Sequence, residues 1–245
     1  MQFSDDQTNA YDKILEVLSE SGIDIKKENI SPLVRNKNKE LTIVGKAGSG
    51  KTLLLAKIVS DLNQLGVETV SGDYQPTRTQ KKRTLAILAP TNKAASVIRQ
   101  QGVAATTIHR ILYTPIYDPE YEKIADWLNG KQEKPIIAGL SEDALKRAEA
   151  FFKVNKSIPG ALAAAGLRGS DFITGWERRD EPLDIGFVDE SSMLDEKQLL
   201  DLRDIFSTLI LFGDPAQLAP VGNSGKMVFD AVSYTHLTLP TKRIV

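Results

Sequence analysis

Short apolar runs alternate with amphipathic stretches along most of this chain. Residues 41–44 (Leu-Thr-Ile-Val) form the first run, and a glycine-rich turn follows. A helical pattern then covers 51–65 and closes at Gly66. The second run, 84–89, breaks at Pro90 and leads into a helix over about 93–101, closed by Gly102. The third, 184–188, passes through an acidic turn into a helix over about 196–206, and the fourth is 209–212. Apolar strands alternating with amphipathic helices predict an α/β fold, a parallel sheet with helices on both faces. Ligands of such sheets bind outside the carboxyl ends of the strands.

A helix precedes this pattern. Ser4 caps it, Gln7 sits three residues later as in a capping box, and Tyr11, Ile14, Leu15 and Leu18 recur at helical spacing up to Gly22. The polar stretch 26–40 reads as a loop with a turn at Ser31-Pro32. Residues 113–182 break the alternation and carry no strong strand signal. Within them 141–155 reads as a helix with Leu145, Ala148, Phe151 and Phe152 on one side, and 160–175 reads as small and loose. The expected organisation is one lobe built from 1–112 and 183–231, with 113–182 inserted as a small subdomain.

Composition narrows the class. With 245 residues, 41% hydrophobic and 26% charged, the chain can bury a core. The absence of cysteine excludes disulfides and cysteine-based metal sites. No apolar run reaches the ~20 residues of a membrane helix, and the acidic start is no signal peptide, so a cytoplasmic protein with no membrane partner is expected. A net charge of -1 argues against global attraction to nucleic acid but leaves room for a local groove. The densest basic cluster, Arg78, Lys81, Lys82 and Arg83, reads as a solvated loop.

The chemistry lies at the strand ends. Gly45-Lys46-Ala47-Gly48-Ser49-Gly50-Lys51-Thr52 fits the P-loop pattern, between a predicted strand and a predicted helix. Glycines turn backbone N–H groups inward around phosphate oxygens, and the helix start presents its positive end. Lys51 would reach the β- and γ-phosphates of ATP, and the Thr52 hydroxyl would ligate Mg²⁺. At the end of the third run, Asp189 would hold the Mg²⁺ shell, and Glu190 would orient and deprotonate the attacking water. The structural alternatives are a plain glycine turn and two solvated acids.

Phe212-Gly213-Asp214-Pro215-Ala216-Gln217-Leu218-Ala219-Pro220-Val221 resembles motif III of superfamily 1 helicases. With Val188-Asp189-Glu190-Ser191-Ser192-Met193 it is most similar to the RecD and Dda branch, the 5′-to-3′ DNA helicases. The resemblance implies a RecA-like P-loop NTPase lobe. It gives Gln217 the sensing of the γ-phosphate, a catalytic role beside Lys51 and Glu190, and Asp214 the holding of the turn. Ala89-Pro90-Thr91-Asn92-Lys93-Ala94-Ala95 resembles motif Ia, which implies that Pro90, Thr91 and Asn92 contact single-stranded DNA. Thr106-Thr107-Ile108-His109-Arg110 resembles the next DNA-contacting motif and points to Thr107 and His109. Phe3-Ser4-x-x-Gln7 resembles the Q motif, in which Gln7 would read the adenine edge; the capping box competes with that reading. The 113–182 insertion sits where that family carries its wedge subdomain, and Trp127, Phe151, Phe152 and Trp176 there are core or base-stacking aromatics, core being favoured.

The resemblance covers about 1–230; the family continues into a second RecA-like lobe, and the expectation is that this stretch of sequence is only the first. Residues 232–245 resemble a non-native tail, so His236, Lys242 and Arg243 receive no role. The expected function is ATP hydrolysis coupled to translocation on single-stranded DNA, with replication or repair proteins as further partners. A DNA-dependent ATPase without unwinding, or a module that only binds nucleotide or single-stranded DNA, are the alternatives. A kinase fits least, because it leaves Glu190 and 213–221 unexplained.

Overall fold

The computed structural model describes residues 3–32, 38–72, 82–180, 182–214 and 236–239. Gln217, Arg78 and Lys81 lie outside them. The described chain divides into two compact units, Met1–Leu112 with Asp180–Val245, and Tyr113–Arg179.

The first unit begins with helix α1 (Asp5–Glu20), which Ser4 and Gln7 start with the expected capping box. A two-residue pairing of β1 (Ile23–Asp24) with β2 (Asn29–Ile30) occupies part of the stretch read as loop. Then come β3 (Lys39–Gly45), α2 (Lys51–Gln64), β4 (Glu68–Val70), β5 (Thr84–Ala89), α3 (Asn92–Gln100), β6 (Thr106–Thr107) and α4 (Ile108–Leu112). The second unit holds β7 (Tyr113–Tyr117), α5 (Pro119–Leu128), α6 (Glu142–Asn155), α7 (Ile158–Ala164), α8 (Gly169–Phe172) and β8 (Ile173–Arg178). The first unit resumes with β9 (Leu183–Val188), a 3₁₀ turn (Ser191–Met193), α9 (Glu196–Ile205), β10 (Phe206–Gly213) and β11 (His236–Leu239).

Seven strands form one sheet in the order β11-β3-β10-β9-β5-β4, with β6 beside β5, and all its pairings are parallel. This is the parallel sheet the pattern predicted, in the RecA-like P-loop NTPase architecture the resemblance implied. Every residue of β5 and β9 is buried, as strands covered on both faces must be. Alternation along the strands sends Leu41, Ile43, Leu85, Ile87, Ile185, Phe187, Ile210 and Phe212 into one core with Ile14 and Leu18 of α1 and Leu54, Ile58 and Leu62 of α2. Four residues of the 232–245 stretch set aside above pair with β3 as an edge strand, His236 against Thr42 and Leu239 against Gly45.

The second unit corrects two expectations. The stretch without strand signal contains an antiparallel pair, β7 and β8, with Pro115 opposite Trp176. Residues 160–175 are not loose: α7 packs on α6 through Ala144, Ala148, Ala161 and Ala165, where small side chains let two helices approach closely. A Cβ at Gly160 would lie 2.4 Å from Phe151 Cε1. Ile124, Ile137, Leu145, Leu162 and Phe172 form the unit's main core, with Trp127 packed against it. Phe151 and Phe152 pack against the alanine cluster, and Trp176 is 46% exposed. Among the described residues no helix is long and apolar enough to cross a membrane.

Candidate nucleotide-binding site

Strands β3, β10 and β9 lie side by side and end at one edge of the sheet, so their carboxyl ends deliver three loops to one place. β3 delivers the P-loop, Lys46 to Gly50. Gly48 and Gly50 have φ of +79° and +85°, the left-handed region that a side chain penalises. Gly50 is also the N-cap of α2, whose first residue is Lys51. The Lys51 ammonium donates to Gly45 O and, at 3.1 Å, to Lys46 O. Its side chain is buried, with the charge satisfied by the loop's own carbonyls.

β9 delivers the two acids. Asp189 is anchored by its backbone, which donates to Leu88 O of β5 at 2.9 Å. Its carboxylate accepts from Glu190 N at 3.0 Å. Burial pushes the Asp189 carboxyl above its ordinary range; the Glu190 N–H counters this, the Glu190 charge adds to it, and the Lys51 charge lowers it. A buried carboxylate held against its preference for water fits a cation. Among the described residues no group of three or more His, Cys, Asp or Glu forms a metal cage. A carboxylate, a hydroxyl and phosphate oxygens are the donors Mg²⁺ prefers, so Asp189 and Thr52 are the residues that could hold that ion together with a bound nucleotide. Glu190 adopts left-handed backbone (φ 53°), and its Oε2 is buried with no hydrogen-bond partner. Ser49 Oγ, in the P-loop, is also buried and unpartnered. Such orphaned groups beside a phosphate turn fit an incoming polar ligand.

β10 delivers Asp214, whose Oδ2 accepts from Ala47 N at 2.8 Å. Ser191, just past the acids, donates from Oγ to Phe212 O at 3.0 Å and ties the ends of β9 and β10 together. Nothing in the sequence pattern singles out that serine; only the neighbouring acids point to the turn.

Gln7 bears out the capping box and makes a second contact, to the P-loop backbone, that neither reading named. Its Oε1 accepts from Ser4 N at 3.1 Å, completing the capping box, and its Nε2 donates to Ser49 O at 2.9 Å. The structure thus places Gln7 on the backbone of the P-loop. The residues assigned to DNA sit at neighbouring strand ends, because Ala89 of β5 pairs with Thr107 of β6. Thr91 and Asn92 are exposed and Pro90 is half-buried. Thr91 Oγ1 caps α3 by accepting from Ala94 N at 3.1 Å. His109 is exposed. Thr107 is 7% exposed, and its Oγ1 accepts from Arg110 N at 3.4 Å. The hydroxyl of Thr107 therefore serves the turn into α4, while His109 faces solvent.

A family model described as an AAA domain matches residues 27–241. No curated protein sequence matches the chain. Similar solved structures include the Pif1 helicase of Candida albicans, 17% identical over 98% of this chain and 40% of that one, TM-score 0.46. Bacteroides sp Pif1 in complex with ADP-AlF4 is 16% identical over 98% of this chain and 42% of that one, TM-score 0.41. A structure of two coordinating Pif1 helicases at forked dsDNA is 16% identical over 98% of this chain and 44% of that one, TM-score 0.42. The chain thus spans less than half the length of these proteins. The chain belongs to the AAA domain family, whose model covers most of its length, including the P-loop, the Asp189-Glu190 pair and the Gly213-Asp214 strand end.

Proposed function

We propose that this chain is the nucleotide-binding lobe of an ATP-driven DNA helicase, which couples ATP hydrolysis to translocation along single-stranded DNA. The observation that carries the reading is the convergence of three loops at adjacent strand ends: the P-loop after β3, Asp189-Glu190 after β9 and Asp214 after β10. Backbone N–H groups of 47–51 and the Lys51 ammonium bind the phosphates. Thr52 and Asp189 hold Mg²⁺, which when bound neutralises phosphate charge and polarises the terminal phosphoryl group. Glu190 orients the attacking water and takes its proton. A binding module has no use for that second acid; a hydrolase does. Pro90, Thr91, Asn92 and His109, at the ends of β5 and β6, supply contacts to the DNA backbone. Gln217 couples the two sites, and 5′-to-3′ polarity follows from the likeness to the RecD and Dda branch.

Phosphate release from MgATP, measured with and without single-stranded DNA beside a Lys51→Ala control, tests this. DNA-stimulated hydrolysis that Lys51→Ala abolishes supports the proposal. Nucleotide binding indifferent to Lys51→Ala removes its basis.

A further inference from the structure

Asp214 puts a carboxylate on a backbone N–H of the phosphate-binding turn, and this contact is built into the sheet. The β10–β3 register sets Phe212 beside Ile43 and Gly213 beside Val44, so the next residue of β10 emerges alongside the start of the P-loop. Ser191 Oγ holds Phe212 O and fixes that strand end. From there Asp214, only 4% exposed, reaches Ala47 N at 2.8 Å.

Two physical consequences follow. A P-loop binds phosphate through backbone N–H groups aimed inward, and in this turn the Ala47 N–H is engaged instead by a charge-assisted hydrogen bond to a carboxylate. A buried carboxylate is also a negative charge beside the place where phosphate charges must arrive, and repulsion is stronger in that low-dielectric setting than in water. Holding the turn in shape needs only an acceptor; an amide oxygen would do it without the repulsion.

Building on the nucleotide-site reading above, we propose that Asp214 is a positioning residue that sets the affinity of the site: its carboxylate contests the Ala47 N–H with a nucleotide phosphate, so that binding obliges Asp214 to yield that donor. Its charge keeps nucleotide affinity below what the P-loop alone would give. A residue that merely propped up the loop would leave affinity lower when altered; this one leaves it higher.

Calorimetric titration of the 245-residue chain with MgATP tests the idea in wild type, Asp214→Asn, Asp214→Glu and Asp214→Ala. Asparagine keeps the size and an acceptor for Ala47 N–H but loses the charge, and should bind MgATP on the order of tenfold more tightly. Asp214→Glu keeps the charge and should bind MgATP no more tightly than wild type. Equal or weaker binding by Asp214→Asn, in a protein with a cooperative melt, overturns the proposal. Should Asp214→Asn not fold, Asp214→Ala against Asp214→Glu decides: tighter binding by alanine supports it, weaker binding overturns it. Wild-type binding that depends on Lys51, with no tightening in any Asp214 variant, sinks this inference alone. If no variant and no wild type binds nucleotide, the site reading itself falls.

Discussion

The guanidinium of Arg83 lies against the carboxylate of Asp184, 101 residues away in the chain, with both side chains 3% exposed. Arg83 Nη2 donates to Asp184 Oδ1 at 3.0 Å and to Ser21 O at 2.9 Å, and Nη1 donates to Ser31 O at 2.9 Å. One side chain thus joins the amino ends of β5 and β9 to the end of α1 and the loop after β2. This corrects the reading of Arg83 as part of a solvated basic loop. In a parallel sheet the amino ends lie away from the carboxyl ends, so this buried pair fastens the edge of the sheet remote from the P-loop.

Arg83→Met should lower stability by about 3–5 kcal/mol, because it leaves Asp184 as a buried, unpaired charge and strands two carbonyls. Urea denaturation measures it. The double variant Arg83→Met with Asp184→Leu should recover much of the loss, since removing both charges removes the desolvation penalty. A double variant no better than the single one would show that the carbonyl contacts, and not the ion pair, dominate.

Tyr11 ties α1 to α2: its hydroxyl donates to Asp61 Oδ2 at 2.7 Å, and Lys57 pairs with the same carboxylate. Tyr11→Phe should cost about 1 kcal/mol at pH 8, because Lys57 still partners Asp61. Burial, then the Asp61 hydrogen bond and charge, push the Tyr11 hydroxyl well above its ordinary value of 10.0. A proton held more tightly when folded contributes stability that is complete below the unfolded value and is lost as pH rises above it. The stability gap between wild type and Tyr11→Phe should therefore shrink from pH 8 to pH 11. A gap that widens would contradict the assignment.

The central strands and the P-loop were readable because their signals are local. β3, β5, β9 and β10 are continuous apolar runs, and the glycine turn follows directly on one of them. β4 and β6 were not readable: they have three and two residues, too few to show a period. β7 and β8 escaped because their residues are half-buried or exposed and one contains Pro115, so no apolar run or alternation marks them. Arg83 was misread because a buried arginine looks like any other in a polar stretch, and its partner is remote in sequence. The same distance hides the contact of Asp214 with Ala47, 167 residues apart, which only the strand register creates. Ser4 and Gln7 show the converse. The spacing announced a capping box, and the box was there, yet the same glutamine also reached Ser49.

Gly50 meets Gln7 so closely that a Cβ there would lie 2.3 Å from Gln7 Nε2. Gly50→Ala should destabilise by about 1–2 kcal/mol for the left-handed backbone alone. Displacing Gln7 from Ser49 O should add about 1 kcal/mol. Gln7→Ala removes the clash along with the hydrogen bond, so the double variant should be about 1 kcal/mol less costly than the sum of the singles. Thermal melts of all four proteins measure the coupling. Strict additivity would mean that α1 does not rest on the P-loop.

Thr107 and His109 separate a structural hydroxyl from a candidate DNA contact within three residues of chain. Thr107 is buried and accepts from the backbone at the start of α4, so Thr107→Ala should lower stability by about 1 kcal/mol, as loss of a capping hydroxyl does. His109 is exposed beside the end of β5, where Pro90, Thr91 and Asn92 emerge. His109→Ala should weaken binding of a labelled oligothymidylate by about tenfold, the ~1–3 kcal/mol typical of a stacking or backbone contact, whereas Thr107→Ala should leave that binding nearly unchanged. Fluorescence anisotropy at fixed salt reads the binding, and the salt must be held because phosphate contacts depend on it. The reverse pattern, with DNA affinity following Thr107 and indifferent to His109, would move the DNA-contacting surface away from this strand end.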